Sequence, residues 1–154
     1  KVYGVDNDVN SEHDILADII KWDYKNDKRL PEKVDYIHAS PPCISFTLLN
    51  AMFKQPHREV KNKTLKPLTK IGRDGDKLLK KTFEIIDYFL AKNPDLKFVI
   101  ENPRGFMRYM PIIKNREDLY RTTTSYSQYG FKYNKIKRVE TRTFQHHNTV
   151  QVSN

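Results

Sequence analysis

The sequence predicts a single α/β domain with a mostly parallel sheet. Apolar runs of strand length alternate with helical or crossover segments, which is the pattern of such folds. The run over residues 97–103 is nearly continuously apolar before it ends in polar residues, as expected for a parallel strand that is buried on both faces. The 154 residues are enough for one domain with a substantial core.

The predicted strands are short, and polar or turn-forming residues follow them. The first is a β-branched and aromatic run that ends at Asp6, and the second ends near Asp18. The third leads directly into the only cysteine of the chain, Cys43. Strands are predicted over residues 2–6, 15–18, 34–39, 97–103, 119–126 and 139–144.

A helix is predicted over residues 77–92, with Asp76 as its N-cap and Asn93-Pro94 at its end. Its apolar residues recur at steps of three and four, which places them on one face. These residues are Leu78, Leu79, Phe83, Ile86, Phe89 and Leu90. A shorter helix is predicted over residues 106–114.

Positive charge is concentrated after the cysteine. The net charge is +9, yet residues 1–53 carry six Lys or Arg against nine Asp or Glu. Residues 54–81 carry ten against three and contain no Phe, Tyr or Trp. The plain alternative is a solvated charged loop. The position of this basic segment directly after the cysteine instead predicts a loop that contacts a polyanion, above all nucleic acid. The candidate backbone contacts are Lys54, Arg58, Lys61, Lys63, Lys66, Lys70 and Arg73.

Cysteine usage and hydropathy restrict the class of protein. A single cysteine excludes an internal disulfide framework and a multi-cysteine metal site, and it favours a reducing intracellular compartment. The histidines have no metal-ligand spacing, so no metal is expected. No apolar run approaches the roughly 20 residues that cross a bilayer, so a soluble protein without a membrane partner is expected.

The segment Ser40-Pro41-Pro42-Cys43 is a stiff exit from a predicted strand. It places a thiol at the carboxyl edge of the sheet, where open α/β sheets bind their ligands. Asp6 and Glu101 end two other strands in the same way. Cys43 is thus a candidate nucleophile, and a buried cysteine that acts as a small hydrophobe is the alternative.

The order of Ser40-Pro41-Pro42-Cys43 and then Phe98-Val99-Ile100-Glu101-Asn102-Pro103 resembles the DNA (cytosine-5-)-methyltransferases, especially their compact phage and viral type. The resemblance implies a Rossmann-like, S-adenosylmethionine-dependent methyltransferase fold. It implies that Cys43 attacks a cytosine flipped out of double-stranded DNA and that Glu101 holds the base. It also implies a role in DNA methylation, such as restriction-modification, in the cytoplasm of a bacterial or phage-infected cell.

Further matches imply the cofactor contacts. Val5-Asp6 resembles the segment that binds the ribose of S-adenosylmethionine, and Ala17-Asp18-Ile19 resembles the one that binds its adenine. Pro41 completes the implied cofactor site. Lys135 and Lys137 match two basic residues that flank the flipped cytosine, although arginines are usual there.

The sequence also departs from the family pattern. None of its five glycines pairs into a glycine-rich cofactor loop, and no target-recognition domain is recognisable. We therefore expect a first strand upstream of Lys1. Two alternatives stay open: a silent relative that only binds nucleic acid, and an amino-methyltransferase acting on adenine or cytosine. The second normally has an aromatic residue after Pro-Pro, where this chain has Cys43.

Overall fold

The computed structural model describes residues 1–52, 54–60, 64–103, 105–125 and 140–146. Within these ranges it is mixed α/β, as predicted. The strands are β1 (Val5–Asp6), β2 (Ile15–Leu16), β3 (Tyr36–Ala39), β4 (Lys97–Pro103), β5 (Leu119–Ser125) and β6 (Glu140–His146). The helices are α1 (Lys70–Lys92) and α2 (Pro111–Lys114), with 3-10 turns at Cys43–Ser45, Leu48–Met52 and Met107–Tyr109.

The strands form a four-stranded sheet in the order β3-β4-β6-β5 and a separate pair, β1-β2. β1 and β2 are parallel, as are β3 and β4, whereas β6 is antiparallel to both β4 and β5. The prediction of a mostly parallel sheet is therefore wrong for the four-stranded sheet, which is mixed. A crossover that contains α1 joins the parallel strands β3 and β4. The apolar runs in the sequence show where strands lie but not in which direction they pair.

Strands β1 and β2 are shorter than predicted because local side chains compete with the ladder. The Asp14 carboxylate accepts a 2.7 Å hydrogen bond from the Gly4 N–H, just before β1. Beyond β2, Asp18 Oδ1 accepts a 3.0 Å bond from the Ile20 N–H, which turns the chain away. The second strand therefore ends at Leu16, not near Asp18.

Helix α1 begins at Lys70, seven residues before its predicted start, and Thr69 rather than Asp76 is its N-cap. The Thr69 side chain accepts a 3.3 Å hydrogen bond from the Gly72 N–H. The additional turns contain Gly72 and Gly75, which weaken the helical pattern in the sequence. Consequently, the second half of the predicted basic loop, from Lys70 onward, is helical.

The core is formed where the apolar face of α1 meets β4 and the turns that follow it. Phe83, Ile86 and Phe89 of the helix are buried in one cluster with Phe98 and Ile100 of the strand. The predicted helix over residues 106–114 is interrupted at Met110, whose extended backbone precedes Pro111. In the described part of the chain, no helix is long and apolar enough to cross a membrane.

Candidate functional site

The nucleophile turn, which we define as residues 40–47 and name after the predicted role of Cys43, follows β3 directly. Cys43 is the first residue of the 3-10 turn after Pro42, and it is exposed. The Cys43 carbonyl accepts hydrogen bonds from the N–H groups of Phe46 (2.8 Å) and Thr47 (2.9 Å). The cysteine is therefore held in a hydrogen-bonded turn at the surface, and the interpretation of a buried structural cysteine is wrong.

The register of β3 and β4 brings Glu101 to the same edge of the sheet. Ala39 and Ile100 are the last pair of β3 and β4, so Ser40 and Glu101 follow that pair side by side, while Glu101 stays paired with Thr143 of β6. The side chain of Asn102 then donates a 2.7 Å hydrogen bond from Nδ2 to the Pro41 carbonyl, and both residues are buried. The two motifs are thus joined directly, with Glu101 half-buried beside the connection.

Sequence reasoning overlooked Asn102, although a signal was present. Adjacent residues of a strand point to opposite faces. A polar residue directly after Glu101 therefore had to point to the buried face, where it needs a partner.

The burial of Arg58 contradicts its predicted role as a DNA contact. Its side chain is 0% exposed and forms a 2.6 Å ion pair with Asp76 of α1. It also donates hydrogen bonds to Ser45 in the nucleophile turn. In the sequence, a buried arginine among basic residues cannot be told from a solvent-exposed arginine. Only the tertiary contacts show that this guanidinium faces inward.

The other predicted backbone contacts that the structure describes remain accessible. Lys54, Lys66, Lys70 and Arg73 are all exposed. Lys70 forms a 2.6 Å ion pair with Asp74, one helical turn further along. Lys61, Lys63, Lys135 and Lys137 lie outside the described residues.

Asp6 is the last residue of β1, where it pairs with Leu16, and Asp18 lies two residues after the end of the parallel strand β2, so the two residues lie at the same end of that pair. Both residues are exposed. The Asp8 N–H donates a 2.9 Å hydrogen bond to Asp6 Oδ1, and this bond lowers the pKa of the Asp6 carboxyl. Ile19 packs partly against the main core. In the described ranges, the β1-β2 pair forms a sheet of its own, and neither strand pairs with a strand of the sheet that contains Glu101.

The described residues contain no group of three or more His, Cys, Asp or Glu that could hold a metal ion. A shallow cleft of about 140 Å³ opens between the nucleophile turn and α1. Pro42 and Ile44 line one side of it, and Ile71 and Leu78 line the other.

Two curated proteins resemble the chain. A frog virus 3 protein named as a DNA (cytosine-5)-methyltransferase is 32% identical over 100 residues, which are 60% of this chain and 40% of the viral protein. A Methanocaldococcus jannaschii protein named as a type II methyltransferase is 36% identical over 72 residues, 46% of this chain and 20% of that protein. The matched segments thus cover less than half of either relative.

No protein-family model and no solved structure matches the chain. The chain is nevertheless similar to two proteins that are both named as methyltransferases. More particularly, the resemblance that the motifs predicted is confirmed by similarity to a protein named as a DNA (cytosine-5)-methyltransferase, over 60% of this chain.

Proposed function

We propose that this chain carries the catalytic centre of a methyltransferase with a Rossmann-like fold, which methylates carbon 5 of a cytosine flipped out of double-stranded DNA. The observation that carries the proposal is the hydrogen bond from Asn102 to Pro41, which ties the Cys43 turn to the strand that presents Glu101. An exposed thiol and a half-buried carboxyl group at one sheet edge are the two groups that this chemistry requires.

Cys43 supplies the covalent step. Carbon 5 of cytosine is a poor nucleophile until a thiolate adds to carbon 6, which makes the ring enamine-like. The Cys43 sulfur forms this bond. It leaves again as a thiolate after carbon 5 has taken the methyl group and lost its proton to water, which restores the ring double bond.

Glu101 holds the base during that addition. Its carboxyl group hydrogen-bonds ring nitrogen 3 and the exocyclic amine, and it stabilises the charge that develops as the thiolate attacks. The alternative, a strand-end acid that only pairs with a nearby cation, predicts no effect of Glu101 on the rate of adduct formation.

The cofactor contacts fit the chemistry of S-adenosylmethionine. Carboxylates accept hydrogen bonds from ribose hydroxyls and from an adenine amine. Asp6 and Asp18 are both exposed, so a cofactor can reach them. Ile19 and Pro41 add apolar contacts. When bound, S-adenosylmethionine supplies an electrophilic methyl group for carbon 5.

Exposed cations that follow the nucleophile turn in the sequence support DNA binding. Lys54, Lys66, Lys70 and Arg73 are positioned after it in the chain and can neutralise phosphates. Such contacts offset the few kcal/mol that flipping a base out of the duplex costs. Lys61, Lys63, Lys135 and Lys137 are assigned to DNA or to the flipped base on sequence alone.

Duplex DNA that contains 5-fluorocytosine tests the proposal, because fluorine blocks the proton loss that releases Cys43. With S-adenosylmethionine, the native protein is expected to form an adduct that survives denaturation, and Cys43→Ser is expected to form none. DNA with ordinary cytosine is the control.

Three results contradict the proposal, and each has a different meaning. DNA binding without an adduct and without cofactor binding indicates the silent relative. Methylated DNA without an adduct indicates an amino-methyltransferase. An adduct that Cys43→Ser still forms removes the cysteine from the reaction.

A further inference from the structure

We propose that Arg58 is a positioning residue that fixes the nucleophile turn against helix α1 and the basic segment before that helix, of which the structure describes residues 54–60 and 64–69. The inference rests on the proposed function, because it concerns how Cys43 is held for attack. Arg58 is completely buried, and such a cation persists only where its donors are satisfied.

The guanidinium of Arg58 contacts three separate parts of the chain. In the nucleophile turn, Nε donates to the Ser45 carbonyl at 2.9 Å and a terminal nitrogen donates to Ser45 Oγ at 3.3 Å. In the basic segment, the other terminal nitrogen donates to the Leu65 carbonyl at 3.2 Å. In α1, the Gly72 carbonyl accepts at 3.1 Å and Asp76 completes the ion pair. One side chain therefore sets the mutual positions of all three parts.

Packing around this contact leaves the turn little freedom. The Arg58 guanidinium carbon lies 4.4 Å from the centre of the Phe46 ring. A side chain on Gly75 would overlap Ser45, so helix and turn are already in close contact there. The Ser45 carbonyl is two residues from Cys43, and any change in its partner is transmitted to the thiol through the short 3-10 turn.

The same geometry couples the basic segment to the nucleophile. Arg58 and Leu65 lie in the segment that also carries the exposed cations Lys54 and Lys66. Arg58 bonds both the Leu65 carbonyl of this segment and Ser45 of the nucleophile turn. The positions of the segment and of Cys43 are thus linked through one buried side chain.

Lysine substitution separates positioning from simple stability. Arg58→Lys keeps the charge but loses the rigid fork of donors that reaches several acceptors at once. Arg116→Lys is the matched control, since the partners of Arg116 in the described part of the chain are Asp87, Asp118 and the Phe83 ring at 4.8 Å, all outside the nucleophile turn. Thermal melting of both variants establishes that they are folded.

The rate of adduct formation is measured with saturating 5-fluorocytosine duplex. Arg58→Lys is expected to be slower by about 10- to 100-fold, because small misplacements of a reacting group have effects of this size. Its DNA affinity should keep the salt dependence of the native protein, and Arg116→Lys should keep the native rate. An unchanged rate in Arg58→Lys, or equal losses in both variants, overturns the inference.

Alkylation of Cys43 by iodoacetamide keeps the test independent of the proposed function. If the native protein forms no adduct, the methyltransferase proposal fails, but the only thiol of the chain still reports its surroundings. Arg58→Lys is then expected to change the alkylation rate and its pH profile, whereas Arg116→Lys is not. Identical profiles overturn the positioning role.

Discussion

The buried side chain of Asn102 donates a 2.7 Å hydrogen bond to the carbonyl of Pro41, two residues before Cys43. This contact crosses from β4 to the nucleophile turn, beyond the last ladder pair of β3 and β4. It explains how the Cys43 and Glu101 motifs, which are far apart in the sequence, come together at one edge of the sheet.

Asn102→Ala is expected to lower the free energy of unfolding by about 1–3 kcal/mol, since it leaves the Pro41 carbonyl without its partner. It is also expected to slow adduct formation on 5-fluorocytosine DNA. Asn93→Ala is the matched control, because buried Asn93 donates a 2.9 Å bond to the Val34 carbonyl at the other end of β3. Urea unfolding should show similar losses for both variants. An equal loss of adduct formation in both variants would mean that Asn102 acts only on stability.

Gly75→Ala is expected to destabilise the protein, although alanine is normally better than glycine in a helix by roughly 0.5–1 kcal/mol. The new methyl group would overlap the buried Ser45 side chain, and overpacking of this kind costs about 1–3 kcal/mol. Urea unfolding measures the change, and Lys80→Ala at an exposed position of the same helix is the control. Combining Gly75→Ala with Ser45→Ala should restore part of the loss. A more stable Gly75→Ala protein would disprove the close contact.

The free energy of unfolding is expected to fall between pH 10 and pH 12 because of the ionisation of Tyr24. Burial, together with a 3.0 Å hydrogen bond to Glu84, raises the pKa of Tyr24 from 10.0 to about 12. The unfolded chain loses this proton first, so the contribution of Tyr24 is complete below pH 10 and is lost as the pH approaches 12. Tyr24→Phe should cost about 1 kcal/mol at neutral pH and flatten this part of the curve. Denaturant unfolding across this range checks it, with Tyr36→Phe as the control, since Tyr36 is 56% exposed. Parallel curves for the native and Tyr24→Phe proteins would contradict the assignment.

The site could be predicted from sequence where chemistry and element order are local properties. Strand β4 has the predicted bounds because its apolar run is continuous, and the proline-rich exit after β3 places Cys43 beyond the strand. The start of α1 could not be predicted in this way. Its first turns are polar and contain two glycines, and their contacts with Ser45 and with the His57 carbonyl are made only in the folded chain.

The α/β class, the order of the Cys43 and Glu101 motifs and the family resemblance could be predicted from sequence, because residue type and spacing along one segment carry that information. Tertiary structure alone decided the direction of β6, the partner of Asn102 and the burial of Arg58. Strand pairing and side-chain direction depend on residues that are distant in the chain. A basic side chain in a basic segment therefore has the same sequence signature whether it faces a phosphate or, as Arg58 does, a carboxylate and three backbone carbonyls.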